Sequence, residues 1–239
     1  MRLNKYISLS GISSRREADK LIKSATITVN DKVEMNPGYQ VSPSDKIKYD
    51  ERIITPQDNN RVVMLNKPAG IITTVKDPLK RKTVMNLVQT DERLFPIGRL
   101  DKDTTGLILL TNNGSLANYL MHPKNKIPRV YEVEINKMLN DAEIRRLASK
   151  IYIGQKEWGK AEVLSQKKDR GRAILHLKLL QGKKREIRRI FYRLKRELFR
   201  LQRIKFGPIE LNDLPLGEWR VLNSFEYESL NNIVLSNNE

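Results

Sequence analysis

The chain predicts an α+β fold in two units. Three observations carry this. Strand-like and helix-like segments are mixed without strict alternation; a polar stretch at 51–60 separates two differently patterned regions; and 239 residues with 39% hydrophobic content suffice for one large core or two smaller ones.

In the first 50 residues, "LNKYISLSG" sets Leu3, Tyr6 and Ile7 at helical spacing and stops at Gly11, a residue suited to the left-handed conformation after a helix. Ser14 and Glu17 form a capping-box pair that opens a second helix in "SRREADKLIK". "TITVNDKVE" alternates about Asn30-Asp31 and predicts a hairpin. Residues 51–60, "ERIITPQDNN", are polar, contain a proline and lack periodicity, which places the linker there. From Arg61 to Glu239 the pattern is of short strands and helices. "VVMLNKPAGIITT" is an apolar strand broken at Lys67-Pro68-Ala69-Gly70, and "GLILLTNNG" a buried strand ending in an Asn-Gly turn. "SLANYLMH" and "NDAEIRRLASK" predict helices, the latter capped by Asn140 or Asp141; "VYEVEI" and "RAILHLKLL" predict strands.

A formal charge of +17 implies self-repulsion that a polyanion would relieve, so nucleic acid is the expected partner. No run of 18 apolar residues exists, and "MRLNKYISLSG" lacks the apolar centre of a signal peptide; the expectation is a soluble, cytoplasmic protein with no membrane partner. With no cysteine and only His122 and His176, a disulfide framework and a Cys/His zinc cluster are excluded, and no metal or cofactor motif is seen. Chemistry falls to carboxylates, hydroxyls, amides and cations.

Cations concentrate in two places. Arg15, Arg16, Lys20 and Lys23 lie on or near one face of the second helix, with Lys5 in the first. Residues 183–205, "KKREIRRIFYRLKRELFRLQRIK", carry eleven Lys/Arg against two Glu, with Ile187, Ile190, Phe191 and Leu194 forming one apolar helical face. Solvated surface accounts for part of such charge. The density nevertheless points to phosphate contact, with Lys183, Lys184, Arg185 and Arg189 as candidates.

Asp101, in "FPIGRLDKDTTGLILLTNNG", stands between two apolar runs beside Arg99, Lys102 and Asp103. Three readings remain open on spacing alone: a cap or turn residue, a metal-binding pair with Asp103, or a nucleophile or base kept ionised by neighbouring arginines.

The first 48 residues, through "RLNKYISLSGISSRREADKLIK…ITVND", resemble an S4 domain, a small RNA-binding module; Ala25 stands where that family usually has glycine. "LNKPAGIITT", "FPIGRLDKDTTGLILLTNNG", "LANYLMHP", "RVYEVEI", "LLQGKKREIRRI", "LFRLQRIKFGPIEL" and "LPLGEWR", in that order, resemble the pseudouridine synthases, in the bacterial branch of RsuA, RluB, RluE and RluF. The resemblance implies an S4-like domain at 1–50, a linker at 51–60 and a catalytic domain at 61–239 with a mixed, mainly antiparallel sheet flanked by helices. It places the catalytic aspartate on Asp101, the active-site tyrosine on Tyr131 and the arginine that pairs with the aspartate on Arg188. Leu201 matches an apolar residue lining the uracil pocket, and Arg99 the arginine that keeps RNA open around a flipped base. Lys195 stands where a glycine usually ends the helix, so that helix is expected to run longer or end differently.

The implied activity is isomerisation of uridine to pseudouridine in ribosomal RNA, preferably a stem-loop of 23S rRNA, free or in an assembling subunit, by a monomer without cofactor. Small-subunit 16S rRNA or tRNA are the alternative targets. A non-catalytic S4-type assembly factor is the alternative from another class, and a metal-dependent nuclease using Asp101 and Asp103 a third.

Overall fold

The computed structural model describes residues 1–57 and 60–235; Asp58 and Asn59 of the expected linker lie outside the described residues. The chain divides into two units, Met1–Arg61 with Thr90–Leu94, and Val62–Gln89 with Phe95–Glu239.

The first unit contains helices α1 (Leu3–Leu9) and α2 (Arg15–Lys23) and strands β1 (Ile27–Val29), β2 (Lys32–Val33), β3 (Ile47–Tyr49) and β4 (Arg52–Ile53), paired in the order β2-β1-β3-β4. Leu3, Ile7, Ala18 and Ile22 pack from the helices onto Ile27, Val29, Ile47 and Ile54. The Ser14 hydroxyl caps α2 by accepting the Glu17 N–H at 3.2 Å, one half of the expected box. Asn30 and Asp31 both take positive φ, as a two-residue hairpin turn of the twist-matched type requires. Ala25 adopts φ 59°, the left-handed conformation its usual glycine would enter freely. Part of the stretch expected as linker joins this unit: β4 pairs with β3, and the buried Ile54 donates its N–H to the Ile47 carbonyl at 3.0 Å.

Among the described residues, the second unit is built on a nine-stranded sheet. Its strands are β5 (Val62–Lys67), β6 (Phe95–Pro96), β7 (Thr105–Thr111), β8 (Arg129–Ile135), β11 (Glu162–Asp169), β12 (Arg172–Leu179), β13 (Leu198–Phe206), β14 (Ile209–Glu210) and β15 (Trp219–Val221). A separate hairpin comprises β9 (Ile151–Gly154) and β10 (Glu157–Gly159). The helices are α3 (Gly114–Met121), α4 (Asp141–Ser149), α5 (Glu186–Arg193) and α6 (Ser224–Leu235). The main path runs β11-β12-β8-β13-β7-β5-β15, with β14 beside β13 and β6 beside β7. Every pairing is antiparallel except β13 with β7, the seam between the two halves. Each half has its own core. Val133, Leu175, Ile187 and Phe191 belong to one; Met64, Leu107, Leu120 and Leu230 belong to the other.

Residues 183–205 do not form one long helical element. Helix α5 stops at Arg193, and β13 begins at Leu198. The stop is a Schellman arrangement: the Lys195 N–H bonds to the Tyr192 carbonyl at 3.1 Å and the Arg196 N–H to the Phe191 carbonyl at 2.9 Å. Lys195 takes φ 54°, so the helix ends where a glycine would end it, at a conformational cost on the order of 1 kcal/mol.

Candidate active site

The loop bearing Asp101 is fixed before it reaches β7. Buried Thr73 clamps the preceding residue from both sides, its hydroxyl accepting the Leu100 N–H at 3.3 Å and donating to the Leu100 carbonyl at 3.0 Å. Beyond Asp101, the Thr104 N–H closes a turn onto the Asp101 carbonyl at 3.1 Å. The next carbonyl, of Lys102, accepts from the Gly70 N–H at 2.9 Å and from the Lys67 ammonium at 3.2 Å.

Lys67 ends β5 with 0% exposure, its ammonium also donating to the carbonyls of Pro68 and Ile71 at 2.9 and 2.8 Å. One buried cation thus ties the "KPAG" turn to the aspartate loop. Burial lowers its pKa to about 8, with Asp103 and Asp101 acting in the opposite sense. Between about pH 8 and the unfolded lysine value near 10.4, the unfolded chain binds this proton more tightly, so stability contributed here rises with pH. Urea denaturation at pH 7.5 and 9.5 should therefore show wild type gaining on the order of 1–2 kcal/mol relative to Lys67→Met as pH rises. An equal response of both proteins would contradict this.

A cleft of about 790 Å³ opens over Asp101. Arg99, Asp101, Tyr131, Lys183, Lys184, Arg185, Arg188 and Leu201 all line it, so these sequence candidates are brought together. Tyr131 on β8 stands across from Arg203 on β13, and Leu201 across from Val133. Arg99 is exposed, whereas Leu201 is buried and supplies an apolar wall.

The arginine nearest Asp101 is not the expected one. Arg185 brings Nη1 to 4.0 Å from the Asp101 carboxylate, while Arg188 donates from Nη2 to the Asp103 carbonyl at 3.0 Å. The cause is local: Arg185 caps α5 in the left-handed conformation, φ 52°, with its guanidinium reaching the carboxylate, whereas Arg188 meets the following turn. The Arg188 Nε is buried and, among the described residues, has no hydrogen-bond partner.

Arg189, expected to touch RNA, is used within the fold. It donates to the Ile153, Gly154 and Lys184 carbonyls at 2.9, 2.7 and 3.2 Å and to the Glu157 carboxylate at 2.5 Å. Lys183 likewise donates to the Trp158 carbonyl. In the first unit, Arg15, Arg16, Lys20 and Lys23 are exposed, with Lys20 3.8 Å from Glu17, while Lys5 is half-buried.

Sequence reasoning missed Lys67, Arg203 and Glu186. A lysine ending an apolar strand was a signal for the first, although "VVMLNKPAG" gives no sign that its side chain turns inward. Arg203, 2% exposed, donates from Nε to the Leu107 carbonyl at 2.7 Å and places its guanidinium carbon 5.1 Å from the Phe206 ring centre. Burial pushes its pKa down, and neighbouring Tyr131 opposes this. Half-buried Arg129 lies 5.2 Å from the same ring centre. Among the described residues neither arginine nor Lys67 has a carboxylate within salt-bridge distance. Glu186 is buried at the start of α5, where it accepts the Lys183 and Lys160 N–H groups at 3.0 and 3.3 Å. Its pKa is raised by burial, against the lowering effect of those bonds.

The cleft thus combines the Asp101 carboxylate, the Tyr131 ring, the apolar wall of Leu201 and a set of cations, in a chain with a second, S4-like unit. The RNA pseudouridylate synthase family model matches residues 61–192, and the S4 domain model residues 1–47. The dual-specificity RNA pseudouridine synthase RluF of Escherichia coli (strain K12) is 38% identical over 228 residues, covering 95% of this chain and 77% of the relative. The ribosomal large subunit pseudouridine synthase B of Bacillus subtilis (strain 168) is 35% identical over 232 residues, covering 96% and 95%. A crystal structure of a pseudouridylate synthase superposes with a TM-score of 0.69 at 27% identity, covering 96% of this chain and 99% of the other. The chain belongs to the RNA pseudouridylate synthase family, with an N-terminal S4 domain, and is an isomerase.

Proposed function

We propose that the protein converts a specific uridine of 23S ribosomal RNA to pseudouridine, with Asp101 as the reacting carboxylate. The observation that carries the mechanism is the Asp101 carboxylate, on a loop clamped at Leu100, in a cleft it shares with Tyr131, Leu201, Arg185 and Arg188. The reaction breaks the bond between N1 and the ribose C1′, turns the uracil, and joins C5 to C1′. C5 gives up its proton and N1 gains one, with no change of oxidation state. Asp101 assists departure of the base; Tyr131 stacks on the uracil and faces the C5 proton; Leu201 walls the pocket. Arg185 pairs with the carboxylate in the free protein, and Arg188, whose Nε has no partner among the described residues, serves it once RNA occupies the cleft. Arg99, exposed at the rim, supports the opened RNA.

Flipping the target base costs a few kcal/mol, which phosphate contacts offset. Lys184 in the catalytic domain and Arg15, Arg16, Lys20, Lys23 and Lys5 in the S4-like domain supply them. The domains in this reading are 1–50 and 61–239, with the stretch 51–60 between them lending β4 and Ile54 to the first. The protein acts as a cytoplasmic monomer on free RNA or an assembling subunit. The large-subunit preference draws support from the Bacillus subtilis relative, named for that subunit and matched over nearly all of both chains. The Escherichia coli relative, named as dual-specificity, supports a second reading in which one further RNA is modified.

The test is pseudouridine mapping by carbodiimide modification and primer extension across the rRNA and tRNA of cells lacking the gene. Loss of one 23S site, restored by the wild-type gene, is expected. Retention of every 23S site would overturn the target, and retention of all sites in every RNA would overturn the reading as a whole.

A further inference from the structure

The β9–β10 hairpin has two unlike faces. Ile151 and Ile153 point into the core, and Gly159 meets Ile190 of α5 so closely that a Cβ there would lie 2.9 Å from the Ile190 side chain. On the other face Tyr152 and Trp158 are direct cross-strand partners. Their rings meet edge to face, with centroids 5.4 Å apart and planes at 62°. They remain 42% and 50% exposed, a large aromatic surface for a hairpin to leave in water. Arg193 of α5 places its guanidinium carbon 5.5 Å from the Tyr152 ring centre. The hairpin tip is Gln155-Lys156, both at positive φ, where glycine or asparagine is the usual choice; it holds a lysine in solvent instead.

The hairpin is continuous with the cleft. Lys183 lines the cleft and donates its ammonium to the Trp158 carbonyl, while Arg189 of α5 grips the Ile153 and Gly154 carbonyls. An aromatic pair flanked by arginine and lysine, fixed to the cleft rim in a chain of charge +17, has the chemistry that takes an unpaired nucleobase: a ring face for the base and cations for the phosphates beside it.

We propose that Trp158 and Tyr152 form a stacking platform for an unpaired nucleotide of the RNA substrate outside the uridine pocket, a contact that adds affinity and selects RNA opened near the target. The proposal rests on RNA being the substrate and not on which RNA it is. A merely structural cross-strand pair would affect the melting temperature but not RNA affinity.

The test uses the full chain with Asp101→Asn to prevent turnover and Trp219→Phe to leave Trp158 as the single tryptophan. It is titrated with a stem–loop RNA bearing an unpaired loop, and with a fully paired duplex of the same length. Quenching of Trp158 emission by the stem–loop and not by the duplex is expected. In the Trp219→Phe background, Trp158→Ala should raise the stem–loop Kd by about tenfold. Trp158→Phe should restore most of that affinity, showing that an aromatic face is what counts. An unchanged Kd in Trp158→Ala, no quenching, or equal quenching by the duplex would overturn the platform. Pseudouridine formation on transcribed 23S rRNA by the wild-type protein is measured alongside. Its absence, with Trp158-dependent binding intact, would sink the proposed target and leave the platform standing.

Discussion

Asp101→Asn is expected to lower pseudouridine formation by about 10³-fold or more while leaving RNA affinity within about twofold. The amide keeps the size of the carboxylate and removes the charge and lone-pair basicity on which the proposed cleavage of the N1–C1′ bond depends. The partly exposed ion pair with Arg185 is lost, but the bonds that hold the loop are kept. The Thr73 clamp, the Thr104 turn and the Lys67 bond all go to backbone atoms rather than to the Asp101 side chain. Single-turnover assays on rRNA, paired with a binding isotherm, separate the two effects. Turnover within tenfold of wild type would remove Asp101 from the chemistry, and a parallel loss of binding would make it a structural residue.

The second large effect concerns the fold. Gly106 takes φ 100° on β7, opposite Arg203 of β13, at the one parallel pairing in the sheet. A Cβ at this position would lie 2.2 Å from the Arg203 carbonyl oxygen and 2.7 Å from its nitrogen. Both are backbone atoms, so no side-chain rotation relieves the overlap. Gly106→Ala must part the two strands at the seam, and a loss of at least about 4 kcal/mol in urea denaturation is expected. An unchanged urea midpoint would show that the strands do not approach in this way. Because β7 follows the aspartate loop and β13 carries Leu201 and Arg203, any folded remnant should also lose activity.

These two residues mark what can and cannot be read from a sequence. Asp101 is visible because a charge cluster between apolar runs is anomalous, and its motif supplies the chemistry. Gly106 stands in the same motif, but its need for a missing side chain depends on a strand nearly 100 residues later. Long-range hydrogen bonding hides the rest. Arg188 and Arg189 look equivalent along α5, yet one reaches the cleft and the other is absorbed by carbonyls of the neighbouring hairpin. Local signals fared better. The Asn30-Asp31 turn, the Asn140 cap and the strands around "GLILLT" each follow from short patterns. Strand β13 sits between these cases. Leu201 and Arg203, two apart with no register shift between them, share the buried face, although residue type in "LFRLQRIKF" favours Ile204 there; the shift between Arg203 and Lys205 follows.

The buried cations of the cleft have a consequence for the protein without RNA. Arg203 is buried with half-buried Arg129 over the same Phe206 ring, and burial, together with the charge of Arg203, lowers the pKa of Arg129. Folding therefore brings two like charges together, with no carboxylate within salt-bridge distance among the described residues, in a chain already far from electroneutral. Phosphates of bound RNA are the counterions expected at the cleft. They relieve a repulsion that the polypeptide cannot relieve alone, so tight binding and a firmer fold become two readings of the same charge imbalance. The nucleic acid is thus part of the electrostatic structure of the enzyme as well as the molecule it modifies.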